Sequence, residues 1–263
     1  MIPEAYITEW SNKVLWQTNE QVEQDLVISR AIVEIFKDDF LAENLAFRGG
    51  TALYKLFLTS QPRYSEDIDL VQMQPEPIKE TIGHLQKALS FLGKSSVASK
   101  MNNNTLYFRF DSEIPPVQKL RMKVEINCRE HFSVLGWFDK SFDVSSSWFD
   151  GKCNLTTYRL EELMGTKLRA LYQRRKGRDL FDLWKVLTTV ELDSKLILKC
   201  YKEYMKFSIN KPIQSKNEYL QNIHRKRIDK EFLGDITALI SKTEVYDQEE
   251  AFELVIKRLI DNM

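Results

Sequence analysis

The sequence predicts an α+β fold in which a sheet-containing amino-terminal domain is followed by an α-helical carboxy-terminal domain. Strand patterns, two of them strictly alternating, fall before residue 130, and from Thr157 onward the periodicity is helical. The 263 residues, 43% of them hydrophobic and 29% charged, are enough to bury a real core. The expected boundaries are a first domain over 1–147 and a helical domain over 151–263.

The elements follow in chain order. Val22, Leu26, Ile28, Ile32, Ile35 and Phe36 recur at helical spacing and predict one helix over 20–43, capped by Asn19. Leu45-Ala46-Phe47 is a short strand ending at Gly49-Gly50, and Thr51 caps a helix that runs to Leu58. A polar loop from Ser60 to Glu66 leads into the strand Asp67-Ile68-Asp69-Leu70-Val71, and Pro77 to Leu92 is a helix closed by Gly93. Thr105 to Phe110 alternates, with Leu106, Phe108 and Phe110 on one face. Lys119 to Cys128 does the same: Leu120, Met122, Val124, Ile126 and Cys128 face one way, while Lys119, Arg121, Lys123, Glu125 and Asn127 face the other. Such strands belong to a sheet with one face covered and one open. Helices are then expected over 159–175, 179–189, 194–207, 232–241 and 250–261.

Composition removes several classes of function. Lys plus Arg and Asp plus Glu balance at 38 each, so overall charge gives no argument for a nucleic-acid coat protein. Cys128, Cys153 and Cys200 lack the spacing of a zinc knuckle or a disulfide framework, which fits a reducing compartment. Met1 to Tyr6 shows no basic segment followed by an apolar run, and no stretch approaches the ~20 apolar residues of a membrane helix. The expectation is a cytoplasmic protein with no membrane partner.

The residues that carry chemistry begin with Asp67 and Asp69. A strand places them on one face, roughly 7 Å apart, with Ile68 and Leu70 turned to the core. Asp is disfavoured in strands, so two in one short strand point to function, although a DxD can also merely keep a strand edge solvated. If the strand that carries Glu125 is close, three carboxylates share the open side and offer hard oxygen ligands to magnesium, with phosphate oxygens completing the octahedron. Gly49-Gly50-Thr51 opens a helix whose free N–H groups favour a phosphate, while the same triplet is also an ordinary capped helix start.

The string Phe47-Arg48-Gly49-Gly50-Thr51-Ala52-Leu53-Tyr54-Lys55-Leu56, followed by Arg63-Tyr64-Ser65-Glu66-Asp67-Ile68-Asp69-Leu70, resembles the AbiEii/AbiGii toxin family. These are nucleotidyltransferases of the polymerase-β-like superfamily, with MenT-like type IV toxin–antitoxin members. A later family motif has its counterparts in Lys167, Arg174, Lys176, Arg178, Asp179 and Asp182. The resemblance implies a mixed, twisted sheet of nucleotidyltransferase type with flanking helices, and a helical carboxy-terminal domain that completes a nucleotide cleft. It implies Asp67, Asp69 and Glu125 as metal ligands for Mg²⁺ or Mn²⁺, with Lys167 and Asp179 joining them in catalysis. Gly49, Gly50, Thr51, Ser65, Lys167, Arg174, Arg178 and Asp182 form the implied nucleotide-binding set.

The helical motif can also be read from its own residues. Lys167 falls on the apolar stripe Leu160, Leu163, Met164, Leu168 and Leu171, so its ammonium should meet an anion, either a carboxylate of this chain or a ligand phosphate. Arg174, Arg175, Lys176 and Arg178 are favourable near a helix carboxy terminus and could equally meet phosphate. Asp179 is either an N-cap or a residue at the edge of the apolar face, and Asp182 is expected on the polar face beside Lys185. The basic run His224-Arg225-Lys226-Arg227 with Lys230 reads as a solvated face or as an RNA contact.

The expected function is Mg²⁺-dependent transfer of a nucleotidyl group from an NTP to an RNA acceptor, the 3′ end of tRNA, by a growth-arresting toxin restrained by a cognate antitoxin. Transfer to a protein or a small molecule, and a non-catalytic nucleotide- or RNA-binding module, are the alternatives.

Overall fold

A computed structural model describes residues 2–58, 60–100, 103–208 and 213–263, and divides the chain into two compact units. The first comprises residues 1–132, 137–158 and 241–243, and the second residues 133–136, 159–240 and 244–263.

The first unit opens with α1 (Glu4–Ser11), α2 (Asn19–Phe36) and α3 (Asp39–Asn44). The single helix expected over 20–43 is thus two, and Thr18, not Asn19, is the first cap, accepting from the Gln21 amide. The break has a local cause. The Asp38 carboxylate accepts from the Leu41 amide and starts a new helix, while also meeting His84 Nδ1 at 2.9 Å. Burial opposes ionisation of Asp38, but these two hydrogen bonds together with the charges of His84 and Lys87 outweigh it and hold its carboxyl below the usual range.

The chain continues through β1 (Leu45–Arg48), α4 (Gly49–Leu56), β2 (Asp67–Gln72), α5 (Ile78–Ala88), β3 (Ser96–Lys100), β4 (Asn103–Asp111), β5 (Lys119–Asn127), β6 (Trp137–Ser145) and β7 (Asp150–Tyr158). The seven strands form one sheet in the order β3-β4-β5-β2-β1-β7-β6. The β2–β5 and β1–β7 pairs are parallel and the other pairs antiparallel, so the sheet is mixed. Phe47, Ile68, Leu70, Leu106, Phe108, Met122, Val124 and Ile126 are buried on one face, and Phe36 of α2 packs against Phe47 there. The other face carries Arg48, Asp67, Asp69, Lys123 and Glu125.

The expected domain boundary at 147–151 falls inside the β6–β7 hairpin, and the first unit runs on to Tyr158. Both strands alternate: Phe142 and Val144 are buried between Ser141, Asp143 and Ser145, and Cys153 and Leu155 between Lys152, Asn154 and Thr156. The alternation is a strand signal, diluted here by serines, glycine and charges. β3 offers no such signal, because all five of its residues are exposed.

A buried ion pair ties α2 to α4. Lys55 Nζ lies 2.8 Å from Asp25 Oδ1 and also meets Ser29, while Trp10 Nε1 donates to Asp25 Oδ2. Glu23 on α2 is buried, its Oε2 accepting from the Glu113 amide, and burial pushes its carboxyl up to about 7 from an ordinary 4.5. A carboxyl raised in the folded state contributes most below its unfolded value and loses that contribution as the pH rises through 7. Glu23→Gln should therefore stabilise the protein at pH 8, by an amount on the order of 1–2 kcal/mol after screening, with little gain at pH 4.5. Urea melts at the two pH values check it.

The second unit is helical: α6 (Leu160–Gln173), α7 (Gly177–Thr189), α8 (Ser194–Ser208), α9 (Lys216–Arg227), α10 (Lys230–Gly234) and α11 (Gln248–Arg258). A helix over 232–241 was expected; α10 instead begins at Lys230, after the Asp229 cap, and ends at Gly234. α9 was not expected because it buries only Tyr219, Ile223 and Lys226, a stripe too narrow for periodicity. Its sequence signal is the capping box of Ser215 and Glu218. Among the described residues no helix is long and apolar enough to cross a membrane.

Candidate active site

β2 delivers its two aspartates to the open face because a strand alternates, and the neighbouring strands extend the row. Arg48 on β1 is the register partner of Asp69, and Glu125 on β5 is its partner on the other side; Lys123 is opposite Asp67. The parallel pairing of β2 with β5 thus brings Asp67, Asp69 and Glu125 to one patch.

Gly49 and Gly50 owe their small size to this patch. Gly49 has φ +82°, and a Cβ there would lie 2.0 Å from Asp69 Oδ2; a Cβ on Gly50 would lie 2.7 Å from Arg63 Nη2 and 3.0 Å from Ser65 Oγ. The two glycines therefore make room first for the chain's own side chains, with the Asp69 carboxylate set at the start of α4. Gly49→Ala combines a disfavoured φ with a clash against Asp69, so it should cost more than about 2 kcal/mol and impair transfer activity at the same time. Thermal melting and an activity assay on the same preparation check this.

Thr51 does not cap α4: the N-cap position is Arg48, without a side-chain cap bond. The Thr51 side chain is buried, its hydroxyl within hydrogen-bond distance of Ser65 Oγ, at 2.9 Å, and of the Asp67 carbonyl oxygen. Thr51 and Ser65 thus tie the loop before β2 to α4 and set the height of Asp67. Arg63, buried on the Tyr54 ring and donating to the Tyr64 carbonyl, stiffens the same loop.

The electrostatics centre on Lys123. Its Nζ lies 2.6 Å from Glu125 Oε2 and 3.6 Å from Asp67 Oδ2. Burial works against its charge, but the Glu125 hydrogen bond and the Asp67, Glu125 and Asp69 charges outweigh burial and raise its pKa. Asp67 is raised chiefly by burial, with Lys123 opposing and Glu66 and Glu125 adding to the rise. Asn103 donates to the other Glu125 oxygen at 3.1 Å. Arg48 Nη1 lies 2.6 Å from Glu130 Oε2, and Asn127 accepts from the Arg129 and Glu130 amides, so Arg48 is fixed beside Asp69.

In the sequence Lys123 is one polar-face residue among several, and Glu130 carries no local signal. Strand register places Lys123 opposite Asp67, and the turn after β5, where Asn127 accepts from the Glu130 amide, places Glu130.

The oxygens able to hold a divalent ion here are those of Asp67 and Asp69, with Glu125 alongside. As the side chains stand, no group of three or more His, Cys, Asp and Glu among the described residues is arranged to hold a metal. The expected third ligand, Glu125, is engaged by Lys123 and Asn103 instead. The donor chemistry still fits: Asp67 and Asp69 present hard carboxylate oxygens on one face of β2, beside Glu125.

The residues of the helical motif come together within the second unit. Lys167 is buried, with Nζ 2.6 Å from Asp182 Oδ2 and 3.4 Å from Asp179 Oδ1. Arg174 makes a bidentate pair with Asp179, at 2.6 and 2.7 Å. Asp182, expected on the polar face beside Lys185, is fully buried, and Lys185 pairs with Glu244. Asp179 does not cap α7; the N-cap position is Lys176, with no side-chain cap bond. Arg178 and Lys176 pair with Asp235, and Arg175 with Asp229. The anion that Lys167 required is thus a pair of carboxylates.

The basic run on α9 is also engaged. Lys226 is buried and donates to the carbonyls of Leu171 and Tyr172 at the end of α6, and Arg227 pairs with Glu249 and Glu253. Glu162 holds the segment 133–135 through Ser133 Oγ and the Val134 and Leu135 amides, and accepts from Tyr204 OH.

Residues 30–258 match the family described as Nucleotidyl transferase AbiEii toxin, Type IV TA system. The chain belongs to this family. It is a nucleotidyltransferase, of a family of type IV toxin–antitoxin toxins. Among solved structures, it is similar to JHP933 from Helicobacter pylori, with 18% identity, TM-score 0.57, and 92% of this chain and 90% of that one covered. It is also similar to MenT4, a nucleotidyltransferase toxin from Mycobacterium tuberculosis, with 14% identity, TM-score 0.56, and 100% and 98% of the chains covered. At these identities both establish the shared fold. The curated proteins yield no match.

Proposed function

We propose that the protein transfers a nucleotidyl group from an NTP to the 3′ end of an RNA, with tRNA as the acceptor, in a reaction dependent on Mg²⁺ or Mn²⁺. The observation that carries this is the pair Asp67 and Asp69 on the open face of β2, with the Asp69 carboxylate set against Gly49 at the start of α4. The acceptor hydroxyl oxygen attacks the α-phosphorus as its proton passes to water; the bond from that phosphorus to the α–β bridging oxygen breaks, and pyrophosphate leaves. A divalent ion held by Asp67 and Asp69 would supply charge neutralisation on the phosphates. The chain's own part is to orient. Thr51 and Ser65 fix the height of Asp67, and Glu130 holds Arg48 beside Asp69, where a guanidinium suits a phosphate oxygen. Catalysis is then mostly positioning and electrostatics.

RNA as acceptor, and a cognate antitoxin as partner, follow from the family resemblance. The basic runs lend RNA no separate support, because Arg174, Arg175, Arg178, Lys226 and Arg227 are paired within the second unit.

The test is incubation of the purified protein with Mg²⁺, total cellular RNA and each α-labelled NTP in turn. Label in a tRNA-sized band is the expected result and names the base. Label on protein or on a small molecule would replace the acceptor.

A further inference from the structure

Lys123 stands where a metal-dependent site would not be expected to hold a cation of its own. It is opposite Asp67 in the β2–β5 register and two residues before Glu125 on the same face, and its ammonium lies 2.6 Å from Glu125 and 3.6 Å from Asp67.

We propose that Lys123 is a built-in counter-cation that takes the place of a second divalent ion between Asp67 and Glu125, so that the site binds one divalent ion and not two. The proposal rests on the nucleotidyltransferase reading of the same carboxylates and deepens it.

Charge is the first argument. Asp67, Asp69 and Glu125 bring three negative charges and Lys123 one positive, which leaves the charge that a single divalent ion neutralises. A second ion beside Glu125 would sit against a tethered ammonium, a like charge that cannot diffuse away. Geometry is the second argument. Both Glu125 oxygens are spoken for, Oε2 by Lys123 and Oε1 by the Asn103 amide at 3.1 Å. Glu125 is accordingly a positioning residue that holds Lys123 against Asp67, and the one ion falls to Asp67 and Asp69. An ammonium at that point would also attract the α-phosphate or the attacking hydroxyl oxygen without requiring a metal there.

The experiment counts Mn²⁺ bound per chain at saturation, from the electron paramagnetic resonance of free Mn²⁺, for the full-length protein and its variants. The expected result is one ion for wild type and for Lys123→Arg, which keeps the charge, and two for Lys123→Met. Lys123→Gln serves as a second neutral variant, and thermal melting confirms that each is folded. Two ions in wild type, or one ion in a folded neutral variant, would overturn the proposal. A separate control is Asp69→Asn, which should lose the ion. An ion kept unchanged in that variant, or none bound by wild type, would instead sink the carboxylate site on which the proposal stands.

Discussion

An Asp69→Asn protein should melt at the wild-type temperature and have lost nucleotidyl transfer by at least about a thousandfold, the equivalent of roughly 4 kcal/mol of transition-state stabilisation. Asn keeps the shape that fills the space beside Gly49, so the fold loses little, whereas the charge at the middle of the row Arg48, Asp69 and Glu125 is gone. Asp67→Asn should follow it in activity. Label transfer from an NTP, measured with melting on the same samples, separates the two effects. Full activity in Asp69→Asn would remove the assignment of this face as the active site.

The second large effect is on stability. Asp182→Ala should cost about 3–5 kcal/mol in urea unfolding, because it strips Lys167 of its 2.6 Å partner inside the second unit and leaves a buried ammonium facing only the carboxylate that Arg174 already holds. Adding Lys167→Met should restore a good part of the loss, since a buried pair replaced by apolar side chains is often neutral. A nucleotide-binding role, the one implied for these residues by the family motif, makes the opposite forecast: unchanged melting with impaired transfer. Unfolding curves of the single and double variants decide between a helix-tying network and a phosphate site.

How much of this was legible beforehand depended on range. The alternation in Lys119 to Asn127 and the DxD of β2 were read correctly because side-chain direction in a strand is a local property of the backbone. The split between α2 and α3 was missed because it turns on one capping carboxylate, Asp38, within a stretch whose apolar spacing runs on regardless. The β6–β7 hairpin was missed because its alternation is short and interrupted by polar residues, and a strand of that kind is stabilised by its neighbours.

For the site the division is sharper. By itself, the sequence determined the common face of Asp67 and Asp69, the need of Lys167 for an anion, and the family. Only the tertiary structure decided which residues share a row, because the order β5-β2-β1 and its register are set by long-range pairing. That pairing put Glu125 beside Asp69 and Lys123 beside Asp67, and it turned the glycines of α4 toward Asp69 and Arg63. Likewise, Asp182 became a buried partner of Lys167 and Lys226 the cap of α6 through contacts far apart in the chain. A charge is identified by its residue, but whether it meets solvent, a ligand or another charge of the chain is settled by what packs around it.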